Sequence, residues 1–111
     1  MRAYHNSRDD RYRSPYGALE LGKQVKLSLD VFDGEGAECL CRLWVDGVGE
    51  RLIPMEGTAV EDGVRYTCAF VPERPALVWY SFILRREGRE WRYGAREGSV
   101  GGEGRLYDWE P

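Results

Sequence analysis

Residues 78–94 read VWYSFILRREGREWRYG, and the way this stretch is read decides the fold. Side chains along a strand point alternately to opposite faces. Val78, Tyr80, Phe82 and Leu84 therefore share one continuous apolar face, and Trp79, Ser81, Ile83 and Arg85 share the other. The first set is the core side, which leaves Trp79 looking elsewhere. Glu87-Gly88 is a tight-turn signal, and the return run sets Trp91 and Tyr93 on one face with Glu90 and Arg92 opposite. The stretch predicts an antiparallel hairpin with five aromatic rings, more than one core face needs.

The same rhythm runs outward from this hairpin. Asp33-Gly34, Asp46-Gly47 and Asp62-Gly63 punctuate runs rich in valine, leucine and aromatics. In QVKLSLDVF, residues 24–32, Val25, Leu27, Leu29 and Val31 form a buried side, with Lys26, Ser28 and Asp30 on a wet one. In AECLCRLWVD, residues 37–46, Cys39, Cys41, Leu43 and Val45 share one face, and Leu40, Arg42 and Trp44 the reverse. Residues 50–56 and 58–62 make weaker strands around Pro54 and Gly57, suited to an edge. In VRYTCAFV, residues 64–71, Tyr66, Cys68 and Phe70 fall together. No apolar pattern of helical period and length occurs, so the chain reads as all-β, an immunoglobulin-like antiparallel β-sandwich of about seven strands. The sandwich spans residues 23–96. Residues 1–22 form an N-terminal extended segment that packs on the domain or its neighbour, and 97–111 a Gly-rich exit loop and linker. Tyr66, two residues before Cys68, has the spacing of the antibody tyrosine corner. Trp44 shares a strand with Cys41, however, where that pattern places its tryptophan on the strand after the first cysteine, so antibody ancestry does not follow.

Bulk properties exclude several functions. A chain of 111 residues fits one domain with a real core. Its formal charge of −3, from 16 basic and 19 acidic residues spread along the chain, lacks the positive stripe that neutralising phosphates requires, so nucleic acid is not an expected partner. No apolar run approaches the roughly 20 residues of a membrane helix, and the start MRAYHNSRDD lacks the apolar segment of a secretion signal. A cytoplasmic, membrane-free protein is expected.

Chemistry has few places to reside. Cys39, Cys41 and Cys68 are an odd number without paired metal-ligand spacing and read as reduced core thiols. The single histidine, His5, with Asp9 and Asp10 nearby cannot by itself supply a zinc centre, so neither metal nor cofactor is expected. Glu35, Glu38, Glu61 and Asp62 sit in turns and read as solvated, not as a glycosidase carboxylate pair. His5 is far in sequence from the thiols, so no nucleophile has an evident base and no catalytic residue is assigned. The aromatic residues are different, because a sugar ring's C–H face stacks on Trp or Tyr. Trp44, Trp79, Trp91 and Tyr93 are candidate carbohydrate-binding residues, with Arg42 and Arg85 as hydrogen-bonding neighbours. The competing reading is packing under a loop, an edge or a neighbouring domain.

The two ends of the chain carry a resemblance. HNSRDDRYRSPYGALELGKQVKLSL, residues 5–29, resembles the opening of bacterial family 13 glycoside hydrolases of the α-amylase superfamily, of the neopullulanase and maltogenic-amylase type. His5, Ser7, Tyr12, Arg13, Pro15, Gly17 and Ala18 carry it, and Asn6 stands where that family has aspartate. ALVWYSFILRREGREWRYG, followed by GGEG, is similar to the last hairpin and exit loop of the same accessory domain, while residues 33–63 carry no specific signature. The resemblance implies an N-terminal β-sandwich preceding a catalytic (β/α)8 barrel, entered after LYDWEP at 106–111, that holds an Asp/Glu/Asp set absent from these residues. The fragment is then a non-catalytic accessory domain packing against the barrel, with His5, Ser7, Tyr12, Arg13, Tyr107 and Trp109 as interdomain residues. Starch-like α-glucan oligosaccharide and a second subunit are its further expected partners. The alternative is a protein-protein interaction or dimerisation sandwich that binds no sugar.

Overall fold

The computed structural model describes residues 2–14, 21–33, 35–45, 47–72, 78–95 and 104–108, and among them there is no helix. Ten antiparallel strands form two sheets among these residues: β1 Ala3–Tyr4, β2 Arg13–Ser14, β3 Val25–Val31, β4 Glu38–Val45, β5 Gly49–Pro54, β6 Glu56–Val60, β7 Gly63–Phe70, β8 Val78–Arg86, β9 Arg89–Ala95 and β10 Gly104–Asp108. The first sheet runs β1-β3-β7-β6, with β2 also on the β1 side of β3, and the second runs β10-β9-β8-β4-β5. This is the immunoglobulin-like arrangement, with strands A, B, E and D in one layer and C′, C, F and G in the other. The strands β3 to β9 are the seven read from the sequence. The remaining three come from the flanks 1–22 and 97–111, which were expected to be extended segment and linker.

Alternation builds the interior. Val25, Leu27, Leu29 and Val31 of β3 face Cys39, Cys41 and Leu43 of β4, Phe82 and Leu84 of β8, and Trp91 and Tyr93 of β9, all within one core cluster. The β8–β9 hairpin turns through Glu87 and Gly88, whose φ angles of 52° and 79° are the left-handed pair that matches strand twist. The chain changes sheets at Met55, between β5 and β6. Its amide donates to the Cys39 carbonyl at 2.9 Å and its thioether accepts from the Cys39 thiol at 3.5 Å. Pro54 ends β5 on the sheet edge, where a missing amide does least harm. At the start of β7, a Cβ on Gly63 would stand 2.2 Å from the Val31 carbonyl oxygen, so that approach of the backbones admits only glycine.

The expected wet side of β3 is half covered. Ser28 and Asp30 are buried, at 2% and 7% exposure, although alternation turns them away from the core. The cause is the N-terminal segment, which lies along the free edge of β3 as a strap. β1 pairs with Val31 and Asp30, β2 pairs with Leu27 and Lys26, and between them the Ser28 amide donates to the Tyr12 carbonyl at 2.8 Å. At the opposite layer β10 closes the second sheet beside β9, with β1 next to it in space.

Candidate functional site

The outer face of the second sheet carries the exposed tryptophans. β4 and β8 pair with Trp44 opposite Trp79, Arg42 opposite Ser81, Leu40 opposite Ile83 and Glu38 opposite Arg85. On the other side of β4, Glu50 stands opposite Trp44 and Leu52 opposite Arg42. Directly opposed residues on one face of a sheet are side-chain neighbours, so the two indoles stand on adjacent strands of one face. Trp44 is 42% exposed and Trp79 52%. The Arg42 guanidinium lies over the Trp44 ring, 5.6 Å from its centroid, and pairs with the Glu50 carboxylate. Leu52, also exposed, flanks the pair. Farther along the same face Leu40 and Ile83 are buried, and an Arg85–Glu90 pair at 2.7 Å follows. Among the described side chains the exposed apolar area is thus small and bordered by charge.

Trp91 and Tyr93 do not join this pair. β9 pairs with β8 so that Trp91 stands opposite Leu84 and Tyr93 opposite Phe82, which puts both rings on the inner face, 7% and 2% exposed. The sequence grouped the two correctly on one face, but only the pairing register says which face that is. Arg89 lies over the Trp91 ring at 4.8 Å.

Of the residues expected at an interdomain contact, His5, Ser7 and Tyr12 are used inside the sandwich. His5 is 4% exposed. Its Nδ1 donates to the Ser28 carbonyl at 2.7 Å, which fixes the tautomer and leaves Nε2 to accept from the Tyr80 hydroxyl at 2.8 Å. The Tyr93 hydroxyl serves both backbone groups of His5, accepting from its amide and donating to its carbonyl, each at 2.9 Å. Ser7 reaches the same Tyr80 hydroxyl. Tyr12, 6% exposed, donates to Asp30 Oδ2 at 2.7 Å, and Arg65 grips both oxygens of Asp30 at 2.7 and 2.9 Å. Arg13 is half-buried in β2. Tyr107 lies in β10 opposite Arg92, and Trp109 lies outside the described residues.

These polar clusters are held in fixed states. Burial, with Arg13 adding to it, depresses the His5 pKa against the opposing effect of the Ser28 carbonyl. Burial pushes the Tyr80 hydroxyl up to about 12, and burial together with Asp30 does the same to Tyr12. Burial pushes Asp30 upward, but Arg65 and Tyr12 outweigh it and hold the carboxyl below its ordinary range. A neutral imidazole bonded to a neutral phenol, and a carboxylate bound by a guanidinium, have no proton to exchange near neutrality, so both clusters are clasps for the strap. Sequence reasoning missed them because their members come from distant strands. The one available signal was the pair of short polar residues Ser28 and Asp30 beyond Lys26 on the polar side of β3. Among the described residues, no three His, Cys, Asp or Glu side chains converge as a metal site, and no helix is long and apolar enough to cross a membrane. All three cysteines are free and buried, as the sequence reading expects.

His5 makes the strap sensitive to acid. The group is neutral in both states above the unfolded pKa of about 6.5, where its contribution to stability is fully present. As pH falls below that value the unfolded chain takes up the proton first, and stability is lost until the depressed folded pKa is passed. Protonation would also remove the acceptor that Tyr80 uses, with Tyr12, Tyr93, Phe82 and Arg13 as the other neighbours. Because His5 is the only histidine, its titration dominates this window. Urea midpoints measured from pH 7.5 to 5 fall in the wild type and change less in His5→Asn.

No family model matches the chain. It is 27% identical over 110 residues to an amylopullulanase of Thermoanaerobacter thermohydrosulfuricus, a match covering 96% of this chain and 8% of that protein. Amylopullulanases of Thermoanaerobacterium saccharolyticum and Thermoanaerobacterium thermosulfurigenes are 26% and 25% identical over 108 residues, covering 94% of this chain and 8% and 6% of theirs. The likeness read from the two ends of the chain therefore extends over nearly all of it, and the chain is related to one small stretch of far longer glycoside hydrolases of the amylopullulanase kind.

Proposed function

We propose that this sandwich is a non-catalytic accessory domain of an α-glucan-acting glycoside hydrolase and that Trp44 and Trp79 form its sugar-contacting platform. The observation that carries this reading is their pairing. Two indoles directly opposed across β4 and β8, both about half exposed, stand on neighbouring strands of one sheet face. Pyranose C–H faces stack on such rings, while Arg42, Glu50 and Ser81 stand in neighbouring positions to hydrogen-bond hydroxyls. The relatives' name, amylopullulanase, supports an α-glucan as the ligand.

A second reading has the same face dock on a catalytic barrel or on a second subunit. The relatives' much greater length favours some neighbouring domain. Size favours sugar: interdomain contacts cover roughly 600–1,500 Å², whereas among the described side chains the exposed apolar residues of this face are Trp44, Trp79 and Leu52, bordered by charge. Titration with maltoheptaose, followed by indole fluorescence and amide shifts, tests it. Binding localises to Trp44 and Trp79, and Trp79→Ala weakens it by about tenfold or more with the fold intact. If the wild type shows no shifts at saturating sugar, the platform reading is lost and the docking reading takes its place.

A further inference from the structure

The first sheet ends in a strand that lacks the protection its other edges have. Among the described residues β6, Glu56–Val60, pairs with β7 on one side only, and all five of its residues are exposed. An edge strand presents unpaired amides and carbonyls that template further pairing, and proteins blunt such edges with proline, charge, bulges or covering segments. Elsewhere in this sandwich those devices are present. β1 and β10 lie beside each other, and β5 carries Glu50, Arg51 and Pro54. β6 has no proline, and its single charged residue, Glu56, stands at its end. Its inner-face positions are Gly57 and Ala59, opposite Tyr66 and Val64. A Cβ on Gly57 would stand 2.9 Å from Val64 Cγ1 and 3.0 Å from Tyr66 Cε1, so no inward-pointing charge fits there either.

Charge along this strand selects one register for a second copy of itself. Two copies of one strand pair antiparallel about a two-fold axis. Opposed residues share a face of the sheet, so one residue must oppose itself at the axis. Centred on Ala59, Glu56 meets Asp62 of the second copy, two like charges, and Gly57 meets Glu61. Centred on Gly57, the pairing runs into Met55 and Pro54, where the chain has already left for the other sheet. Centred on Thr58, all five residues of β6 pair: Thr58 with Thr58, Gly57 with Ala59 and Glu56 with Val60. No like charges are opposed in that register. The cation nearest the axis, Arg65 opposite Thr58 on β7, is already bound to Asp30.

We propose that β6 is a self-association edge, on which a second copy of this chain adds its own β6 antiparallel with the two-fold axis at Thr58. The first sheets of the two copies then join into one continuous sheet. Main-chain hydrogen bonds supply the affinity, as in other strand additions. Five residues from each copy make a small contact, of the weak and transient class. Trp44 and Trp79 lie on the second sheet, so the pairing leaves them open.

Sedimentation velocity on the whole 111-residue chain, with reductant to keep its three thiols free, tests the pairing. Between about 0.01 and about 1 mM the chain is expected to pass from monomer towards dimer. Thr58→Asp and Thr58→Lys each oppose like charges at the axis and weaken the dimer by about tenfold or more. An equimolar mixture of the two variants opposes Asp to Lys and restores dimer. Position 58 is exposed, so both variants keep the wild-type circular dichroism and urea midpoint. Hydrogen exchange on the wild type needs no variant, and it slows at β6 and not at β5 as concentration rises. A chain that stays monomeric over this range, a dimer that both substitutions leave intact, variants that do not recover on mixing, or slowed exchange at β5 in place of β6 overturns the proposal.

Discussion

Phe82→Ala lowers the free energy of unfolding by about 4 kcal/mol, the largest single effect expected in this chain. Phe82 is 1% exposed at the centre of β8, where its ring meets those of His5 at 4.9 Å, Tyr80 at 5.9 Å and Tyr93 at 6.3 Å. Cutting it to a methyl removes the transfer free energy of the ring and leaves a cavity. The surrounding rings cannot collapse into that cavity, because Tyr80 and Tyr93 are tethered through their hydroxyls to His5. For a domain whose whole stability is about 5–15 kcal/mol, the variant stands near its unfolding threshold. Urea unfolding by tryptophan fluorescence measures it. A loss under about 1 kcal/mol would mean that the strap does not hold these rings in place.

Asp30→Ala follows, with an expected loss of about 3 kcal/mol. Breaking a buried ion pair by removing one partner costs about 3–5 kcal/mol. The lower end applies because the Arg65 side chain is 39% exposed and can turn its guanidinium to water. Tyr12 cannot, since its hydroxyl is buried and loses its acceptor. Asp30→Asn, which keeps an oxygen for Tyr12, recovers a large part of the loss. A double-mutant cycle with Tyr12→Phe separates the phenol bond from the guanidinium pair. The same carboxylate adds acid sensitivity below that of His5. Its folded pKa is depressed, so its stabilisation is present above the unfolded value of about 3.9 and is lost as pH falls through the folded one.

Much of this fold was legible because alternation is a local property. The parity of residues 78–94 separates Phe82 and Leu84 from Trp79, and the structure puts the first two at 1% and 0% exposure and Trp79 at 52%. What alternation cannot supply is the partner. Ser28 and Asp30 read as a wet face until the strap, which pairs with β3 from the far side of the first loop, covers them. Trp91 and Tyr93 read as a possible sugar surface until their register against Leu84 and Phe82 turns them inward. His5 and Tyr12 were noticed through a family resemblance that points to a neighbouring domain, whereas hydrogen bonds to Ser28, Tyr80 and Asp30 give each a use within this one. Both members of the proposed platform were visible as single residues. That Trp44 and Trp79 stand side by side was not, since 35 positions of sequence separate them and only the β4–β8 ladder aligns them.

The nearness of β1 and β10 has a consequence for where chain can be joined to such a sandwich. A polypeptide that enters and leaves a unit at neighbouring points can be spliced into the surface loop of a host without stretching either flank. β1 and β10 are edge strands of different sheets, so their nearness brings the two layers together along one side of the sandwich.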